Sequence, residues 1–234
     1  RNGGFEFMKL IAILISALLA LGASAEPALE TISGTVTEYV ESEYMMLDTA
    51  EHGEIQVNLS AETPMEADGA IQTGDYVYVA FDGTMTMSLP AQIGAKNVTM
   101  HKLKGDIVEV KDGDALIRTS DGTEVLVHLP DDWANAELDA PQLIAYYNGA
   151  ITMSLPGQIS AGKIVPCYTL NGVVDEIGDG FLTIDSDGQK IQVNADSTPE
   201  NLKVDDVICV TYDGIMTRSI PAQITAIEIT LVSR

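Results

Sequence analysis

The chain has 234 residues and carries 12 Lys and Arg against 35 Asp and Glu, a net charge of −23. Such a surface repels phosphate backbones, which excludes nucleic acid as an expected partner. It attracts cations, basic peptides and basic proteins by long-range steering, although the solubility of an exported protein also explains the charge.

The amino-terminal region predicts export. Residues 1–7 differ in character from the rest of the chain, and we interpret them as translated leader or a cloning scar placed before Met8. Residues 8–25 have the parts of a cleaved signal peptide: a positive Lys9, an apolar core and small residues at the end. The core is too short to span a bilayer, and a buried helix is the alternative. We expect a secreted mature chain, 26–234, with no membrane span.

One phrase of nine residues occurs three times in the chain. Its copies are MTMSLPAQI at 85–93, ITMSLPGQI at 151–159 and MTRSIPAQI at 216–224. The aromatic residues before them, Phe81, Tyr147 and Tyr212, are 66 and 65 residues apart. Other landmarks keep the same order around each phrase, which indicates an internal repeat. The three predicted copies cover residues 31–103, 104–170 and 171–234.

Each copy is predicted to contain five short strands, and the third copy shows the pattern best. Its apolar residues alternate with period two, and Asp187-Gly188 has the chemistry of a hairpin turn. The strands are predicted at Gly172–Ile177, Phe181–Asp185, Gln189–Asn194, Val207–Tyr212 and Ala226–Val232. Five strands with a connector between the third and fourth favour an OB-type barrel. A three-layer sandwich and a β-solenoid rank lower, since solenoid repeats are usually shorter.

We therefore expect an all-β fold of three tandem five-stranded OB-like barrels. The copies join at Leu103-Lys104-Gly105 and Leu170-Asn171-Gly172 without a Gly/Ser linker. Short junctions of this kind predict a stiff rod or a compact stack. A broad distribution of inter-copy distances in small-angle scattering would contradict that expectation.

The phrase also resembles a family signature. An aromatic-Asp/Asn-Gly turn, four variable residues and Ser-Leu/Ile-Pro-Ala/Gly-Gln resemble the signature of small exported OB-like domains of Gram-positive bacteria. That family places Tyr before the proline, where this chain has Leu89, Leu155 and Ile220. The chain also has three copies and lacks a lipid-attachment cysteine. The family is uncharacterised in function, so the resemblance implies a fold and export but no activity.

Most residues of the phrase are predicted to form a structural latch. The proline extends the residue before it, so Leu89, Leu155 and Ile220 should plug the end of each barrel. Serine should bond nearby backbone, and glutamine should satisfy loop amides. The latch residues are Gly83, Ser88, Pro90, Gln92, Gly149, Ser154, Pro156, Gln158, Gly214, Ser219, Pro221 and Gln223.

The remaining apolar positions of the phrase are candidates for ligand contact. Methionine is an adaptable side chain that suits a binding surface, although covering the core is the alternative role. A binder should expose an apolar patch there. The candidates are Met85, Met87, Ile151, Met153, Met216 and Arg218, with Ile215 beside them.

The sequence contains no complete set of residues for a catalytic site or a metal site. His52, His101 and His128 occupy non-equivalent places in the copies, and no nucleophile or base accompanies them in a motif. Asp185 and Asp187 form half of a calcium loop that lacks its bidentate glutamate, so they are weak metal candidates. Glu38, Glu109 and Glu176 recur singly, one per copy, where a glycosidase would need a pair.

The sequence thus predicts a secreted, non-catalytic binding protein without a cofactor. Its expected partner is an extracellular protein, a peptide or a cell-wall glycan. The alternatives are a structural or inhibitory envelope protein and an acidic cation-binding protein. The sequence does not decide whether Cys167 and Cys209 form a disulfide, since sequence alone does not place their Cα atoms within bonding range. The oligomeric state stays open as well.

Overall fold

The computed structural model describes residues 28–133, 138–195 and 197–233. The predicted leader and signal peptide, 1–7 and 8–25, lie outside the described residues. All regular secondary structure in the described part is β-strand, which confirms the all-β prediction. The first five strands are β1 (Glu30–Val40), β2 (Tyr44–Thr49), β3 (Gly53–Asn58), β4 (Met65–Ala67) and β5 (Tyr76–Phe81). The next five are β6 (Ala91–Lys111), β7 (Asp114–Arg118), β8 (Glu124–His128), β9 (Gln142–Tyr147) and β10 (Gly157–Ser160). The last five are β11 (Lys163–Ile177), β12 (Phe181–Ser186), β13 (Gln189–Asn194), β14 (Val207–Tyr212) and β15 (Ala222–Ser233).

The alternation of side chains explains why these segments are strands. In β5, Val77, Val79 and Phe81 are buried, while the residues between them are half-buried. This period of two places one face of the strand on the core. The strands predicted in the third copy are confirmed at β12, β13 and β14, and the first and last extend further than predicted.

Strand pairing repeats from copy to copy. β1 pairs antiparallel with β2 and β5, and β2 pairs antiparallel with β3. β3 then pairs parallel with the start of β6, which also pairs antiparallel with β5. The same order recurs for β11 to β15, and for β6 to β11 with the last strand divided: β10 pairs parallel with β8, and β11 pairs antiparallel with β9.

The prediction of three tandem OB-like barrels is wrong. Hydrogen bonds join all 15 strands into a single mixed sheet, coiled in the manner of a β-solenoid, the arrangement that the repeat length had ranked lower. The reason lies in β6 and β11, which run without a break through the expected boundaries at Lys104 and Asn171. β6 pairs with β3 and β5 along its first half and with β7 and β9 along its second half. Since one strand serves both sides, the ladder does not stop between copies.

Buried contacts also cross the expected boundaries. The apolar cluster around β1 to β5 includes Ile144, Tyr146 and Cys167 from later strands. The hydroxyl of Tyr146 donates a hydrogen bond of 2.9 Å to Asp75, and both side chains are buried. Lys104 donates to Glu228 at 2.6 Å and so ties β6 to β15. Two further apolar clusters lie under the middle and third copies.

A β-bulge sets the position of each recurring glutamate in its strand. In each copy the register of the first two strands shifts just before Glu38, Glu109 or Glu176. A bulge inserts one extra residue and re-aims the side chain that comes after it. All three glutamates are exposed, and the bulge accounts for their constant place in the copies.

Cys167 and Cys209 are free thiols in this fold. Cys167 is fully buried beside β9, and its burial raises the pKa of the thiol to about 11. A thiol with such a pKa is mostly protonated at neutral pH and is therefore a weak nucleophile.

Candidate functional site

The repeated phrase forms three loops with one common structure. Loop 1 covers residues 82–90, loop 2 covers 148–156 and loop 3 covers 213–221. Loop 1 connects β5 to β6, loop 2 connects β9 to β10, and loop 3 connects β14 to β15. The strand after each loop pairs parallel, by its first residues, with the third strand of the copy. The strands hold both ends of every loop in the sheet.

A tight turn begins each loop. The carboxylate of Asp82 accepts a hydrogen bond from the amide of Thr84, and Asn148 and Asp213 accept equivalent bonds in the other loops. The next residue is a glycine with positive φ, for instance Gly149 at 87°. A Cβ at Gly149 would lie 2.7 Å from the His101 ring, so both conformation and space require glycine there.

Threonine and serine hold the rest of each loop. In loop 1 the amide of Gln92 donates to the Thr86 hydroxyl at 2.8 Å, and the Thr86 amide donates to the Gln92 carbonyl at 3.0 Å. These two bonds close the neck of the loop. The Ser88 hydroxyl donates to the Pro90 carbonyl at 2.7 Å, and the peptide bond between Leu89 and Pro90 is cis.

The other two loops repeat this network. Ser154 and Ser219 each donate to the carbonyl of the proline two residues on at 2.7 Å. The amides of Gln158 and Gln223 donate to the equivalent threonines at 2.9 and 2.8 Å. The corresponding X-Pro bonds are cis in both loops. Three sequences that differ at several positions therefore share one backbone shape.

The residues expected to plug the barrel ends are fully exposed instead. The relative exposures of Leu89, Leu155 and Ile220 are 100%, 101% and 101%. The neck explains this difference, because Thr86 and Gln92 pair across it and leave residues 87–90 of loop 1 outside the sheet. Each loop thus holds an apolar side chain in solvent at its tip.

The candidate contact residues fall into two groups. Met87 and Met153 are fully exposed, and Arg218 occupies the equivalent exposed place in loop 3. At the position two residues earlier, Met85 is half-buried against the core under β1 to β5, whereas Ile151 and Met216 are 54% and 36% exposed. Ile215 is also exposed. The apolar surface of each loop is therefore centred on its tip.

Two features of the loops differ from the sequence-based interpretation. The glutamine of the phrase closes the neck with its backbone amide and not with its side chain. Its side chain instead contacts the neighbouring strand: the Gln158 Oε1 lies 3.3 Å from the His128 Nε2. The threonines Thr86, Thr152 and Thr217 were missed, although each closes a neck. Their signal was a Thr two residues before the Ser in all three copies of the phrase.

We predict that Thr86→Val loosens loop 1 without unfolding the protein. Valine keeps the shape of the side chain but cannot accept the bond from the Gln92 amide. Exchange of that amide with deuterium should become faster by about tenfold, the equivalent of one exposed hydrogen bond. Thr84→Val is the control, since the hydroxyl of Thr84 takes no part in the neck. Equal exchange in wild type and Thr86→Val would show that the neck does not depend on this hydroxyl.

His128 makes the middle copy sensitive to pH. The carboxylate of Asp114 bonds the ring at 2.8 Å and, with Gln158, raises the pKa of His128 above its usual 6.5. Because the folded pKa is raised, the stabilisation is fully present below pH 6.5 and is lost as pH rises through the folded pKa. The ring is 43% exposed, which limits the effect to a few tenths of a kcal/mol.

His128→Asn, which copies Asn58 and Asn194 of the other copies, tests this interaction. We expect the variant to melt slightly below wild type at pH 5.5 and close to wild type at pH 8.5. A difference in Tm that is constant across this pH range would rule out the charged pair as its cause.

The described residues include no group of three or more His, Cys, Asp and Glu side chains that could hold a metal ion. Asp185 accepts the Gly188 amide at 2.9 Å and lies 3.5 Å from Lys190, and Asp187 has positive φ in the hairpin turn. Both weak metal candidates are thus engaged in turn geometry or an ion pair.

Across 28–133, 138–195 and 197–233, no helix has the length and apolarity needed to cross a membrane.

Comparisons with known proteins do not identify the chain. No protein-family model matches it, and no curated protein matches it. Twelve chains among solved structures match. "Drosophila Unr CSD456" is 12% identical over 88% of this chain and 99% of that chain, with a TM-score of 0.21. A multidomain protein with nucleic acid binding domains from Streptococcus pneumoniae TIGR4 is 11% identical over 88% and 74%, with a TM-score of 0.22. These TM-scores support no conclusion on fold or function, and the resemblance to exported domains stays a prediction.

Proposed function

We propose that this chain is an exported, non-catalytic binding protein whose three loops contact an extracellular protein or peptide. The observation that carries the proposal is the full exposure of Leu89, Leu155 and Ile220 on loops built by one repeated hydrogen-bond network. Single exposed apolar residues are common on protein surfaces. Three exposed apolar residues at equivalent positions, on loops with the same hydrogen bonds, favour a common role for the three loops.

The loops are suited to contact because their shape is set before a partner arrives. Burying one Leu or Ile side chain against a partner contributes about 1.5–3 kcal/mol. A loop that is already ordered loses little conformational entropy on binding, so more of this free energy remains as affinity. The bonds from Thr86, Ser88 and their equivalents supply that order.

The charge of the chain limits the class of partner. A net charge of −23 favours neutral or basic partners and opposes nucleic acid. The loop tips carry Leu, Ile, Met and one Arg, and none of their nine-residue sequences includes an aromatic ring on which a sugar could stack. Protein or peptide is therefore favoured over a glycan.

A thermal-shift panel tests the proposed function. The panel contains basic, acidic and neutral peptides with and without leucine, peptidoglycan fragments, oligosaccharides, Ca²⁺ and EDTA. A ligand at about a hundred times its Kd should stabilise the protein by about 2.7 kcal/mol. For a chain of this size, the corresponding rise in Tm is about 5–10 °C.

The matched variant combines Leu89→Ser, Leu155→Ser and Ile220→Ser. Its own Tm should equal that of wild type, because all three side chains are already in solvent. The shift caused by a leucine-containing peptide should disappear. No shift with any member of the panel would sink the proposal and favour a structural envelope protein. A shift with Ca²⁺ alone would favour the cation-binding alternative.

A further inference from the structure

A cavity lies beside loop 2 in the middle copy. It has a volume of about 370 Å³ and lies on the outward face of β7 and β8. Its floor is Leu116 and Leu126, which face each other across the two strands, and Pro156 of loop 2 forms one wall. Both leucines are only half-buried, so apolar surface remains to be covered.

The rim of the cavity is acidic. Glu109 lies opposite Leu116 in the ladder, Asp112 lies in the turn before β7, and Asp114 is the first residue of β7. Lys111 is the basic residue among those lining the cavity, and its ammonium lies 3.9 Å from Asp112 in a solvent-exposed pair. The residues lining the cavity thus carry three carboxylates against one ammonium, and Asp114 is also paired with the His128 ring at 2.8 Å.

The equivalent positions in the other copies are different. Met46 and Gln56 replace the two leucines in the first copy, and Thr183 and Gln192 replace them in the third. Both glutamines donate hydrogen bonds to the asparagine two residues on, at 2.8 and 2.9 Å. The apolar floor is therefore specific to the middle copy.

The placement of the carboxylates also differs between the copies, although the first copy carries Glu41 and Glu43 in its own hairpin turn. In the first copy Tyr44 occupies the place of Asp114, and its hydroxyl donates to Glu38 at 2.6 Å. In the third copy Phe181 occupies that place, packed against Gly178. Only in the middle copy do two carboxylates, Glu109 and Asp114, occupy this pair of positions.

We propose that the cavity binds an extended, basic segment of a partner protein, with an apolar side chain on the leucine floor and a Lys or Arg on each side of it. The inference rests on the proposed function and names its partner class and its main site. Opposite charges steer such a segment to the rim, and the floor supplies the apolar contact. Met153 and Leu155, exposed on loop 2 just before Pro156, extend the apolar surface beyond the cavity, which favours a peptide over a small molecule.

Fluorescence anisotropy with defined peptides tests this proposal on the intact protein. The probe is a fluorescein-labelled pentapeptide, Lys-Leu-Lys-Leu-Lys, and the comparison peptides carry Ser in place of Leu or Glu in place of Lys. We expect saturable binding of the first peptide with one molecule per chain. Loss of either leucine or charge should weaken binding by about tenfold or more, the equivalent of one buried apolar side chain or close charge pair. High salt should weaken it too.

The leucine substitutions that test the cavity use residues found at the equivalent positions of the other copies. Leu126→Gln and Leu116→Thr install residues that other copies already carry at half-buried positions, so the fold should be kept, as a melting curve verifies. Each should raise Kd by about tenfold, since each removes one apolar contact. Glu109→Gln should raise Kd and reduce its salt dependence. Met46→Thr, the matched change in the first copy, should leave Kd unchanged.

Four outcomes would overturn the inference: no binding of the leucine peptide, equal binding of the serine peptide, an unchanged Kd for Leu126→Gln, or an equal loss in Met46→Thr. The cavity inference can fail while the proposed function stands. If the peptide binding survives Leu126→Gln but is lost in the triple variant of the loop tips, the loops bind and the cavity does not.

Discussion

Gly34→Ala is expected to destabilise the protein by about 1–3 kcal/mol, the usual cost of forcing atoms into a packed site. A Cβ at Gly34 would lie 2.6 Å from the carbonyl oxygen of Asp48 and 2.9 Å from a methyl carbon of Thr49. The carbonyl belongs to the paired strand β2, so it cannot move without disturbing the ladder. Gly105 and Gly172 approach the equivalent strand less closely, with a Cβ 2.9 Å from the Arg118 carbonyl oxygen and 3.1 Å from that of Asp185. Chemical unfolding in urea measures the change in the free energy of unfolding.

The chain offers a matched control for this prediction. Gly94 also lies in a strand, β6, but a Cβ there would meet nothing within 4 Å, and its φ is not positive. Gly94→Ala should therefore be neutral or stabilise the fold by about 0.4–1 kcal/mol through a smaller entropy of the unfolded chain. If both substitutions gave the same change, the close approach at Gly34 would not be its cause.

Tyr146→Phe is expected to destabilise the protein by about 1.5–3 kcal/mol, the range for a hydrogen bond to a charged group. The Tyr146 hydroxyl donates to one oxygen of Asp75, and the amide of Gln72 donates to the other at 2.8 Å. Burial and the Asp75 carboxylate raise the pKa of Tyr146, so its hydroxyl stays a donor at neutral pH. Removing it leaves a buried oxygen without its donor. The Tm should fall by about 3–12 °C.

Tyr44→Phe provides the comparison. Tyr44 also donates to a carboxylate, that of Glu38, but this pair is exposed to solvent. Water replaces the lost bond there, and we expect a much smaller change in the free energy of unfolding than for Tyr146→Phe. Equal losses in the two variants would mean that burial of the Tyr146 bond adds nothing to its strength.

Strand positions could be predicted from the sequence because burial alternates along each strand. Val207–Tyr212 was predicted and observed at the same residues. The separation into barrels failed because Gly105 and Gly172 were interpreted as strand starts, whereas they lie inside β6 and β11. The signal against a boundary was present: Leu103-Lys104-Gly105 contains no Pro, Asn, Asp or Ser and continues the extended pattern on both sides.

The loop tips could not be predicted because hydrophobicity alone assigns Leu89 to the interior. What decides its exposure is the hydrogen bonding of its neighbours, and pairing of Thr86 with Gln92 across the neck is a feature of three-dimensional structure. The cavity was missed for a similar reason. Glu109, Leu116 and Leu126 lie on separate strands, and only the register brings them into one row.

The unbroken strands β6 and β11 have a consequence for how the molecule comes apart. A chain of independent barrels melts in steps, one unit at a time, as isolated domains do. Here β9 is hydrogen-bonded to β6 on one side and to β11 on the other, so opening any section removes partners from the next. Unfolding should therefore be one cooperative transition. A fragment that begins at residue 104 would lose the part of β6 that pairs with residues 145–147 of β9, so the copies depend on one another for their folding.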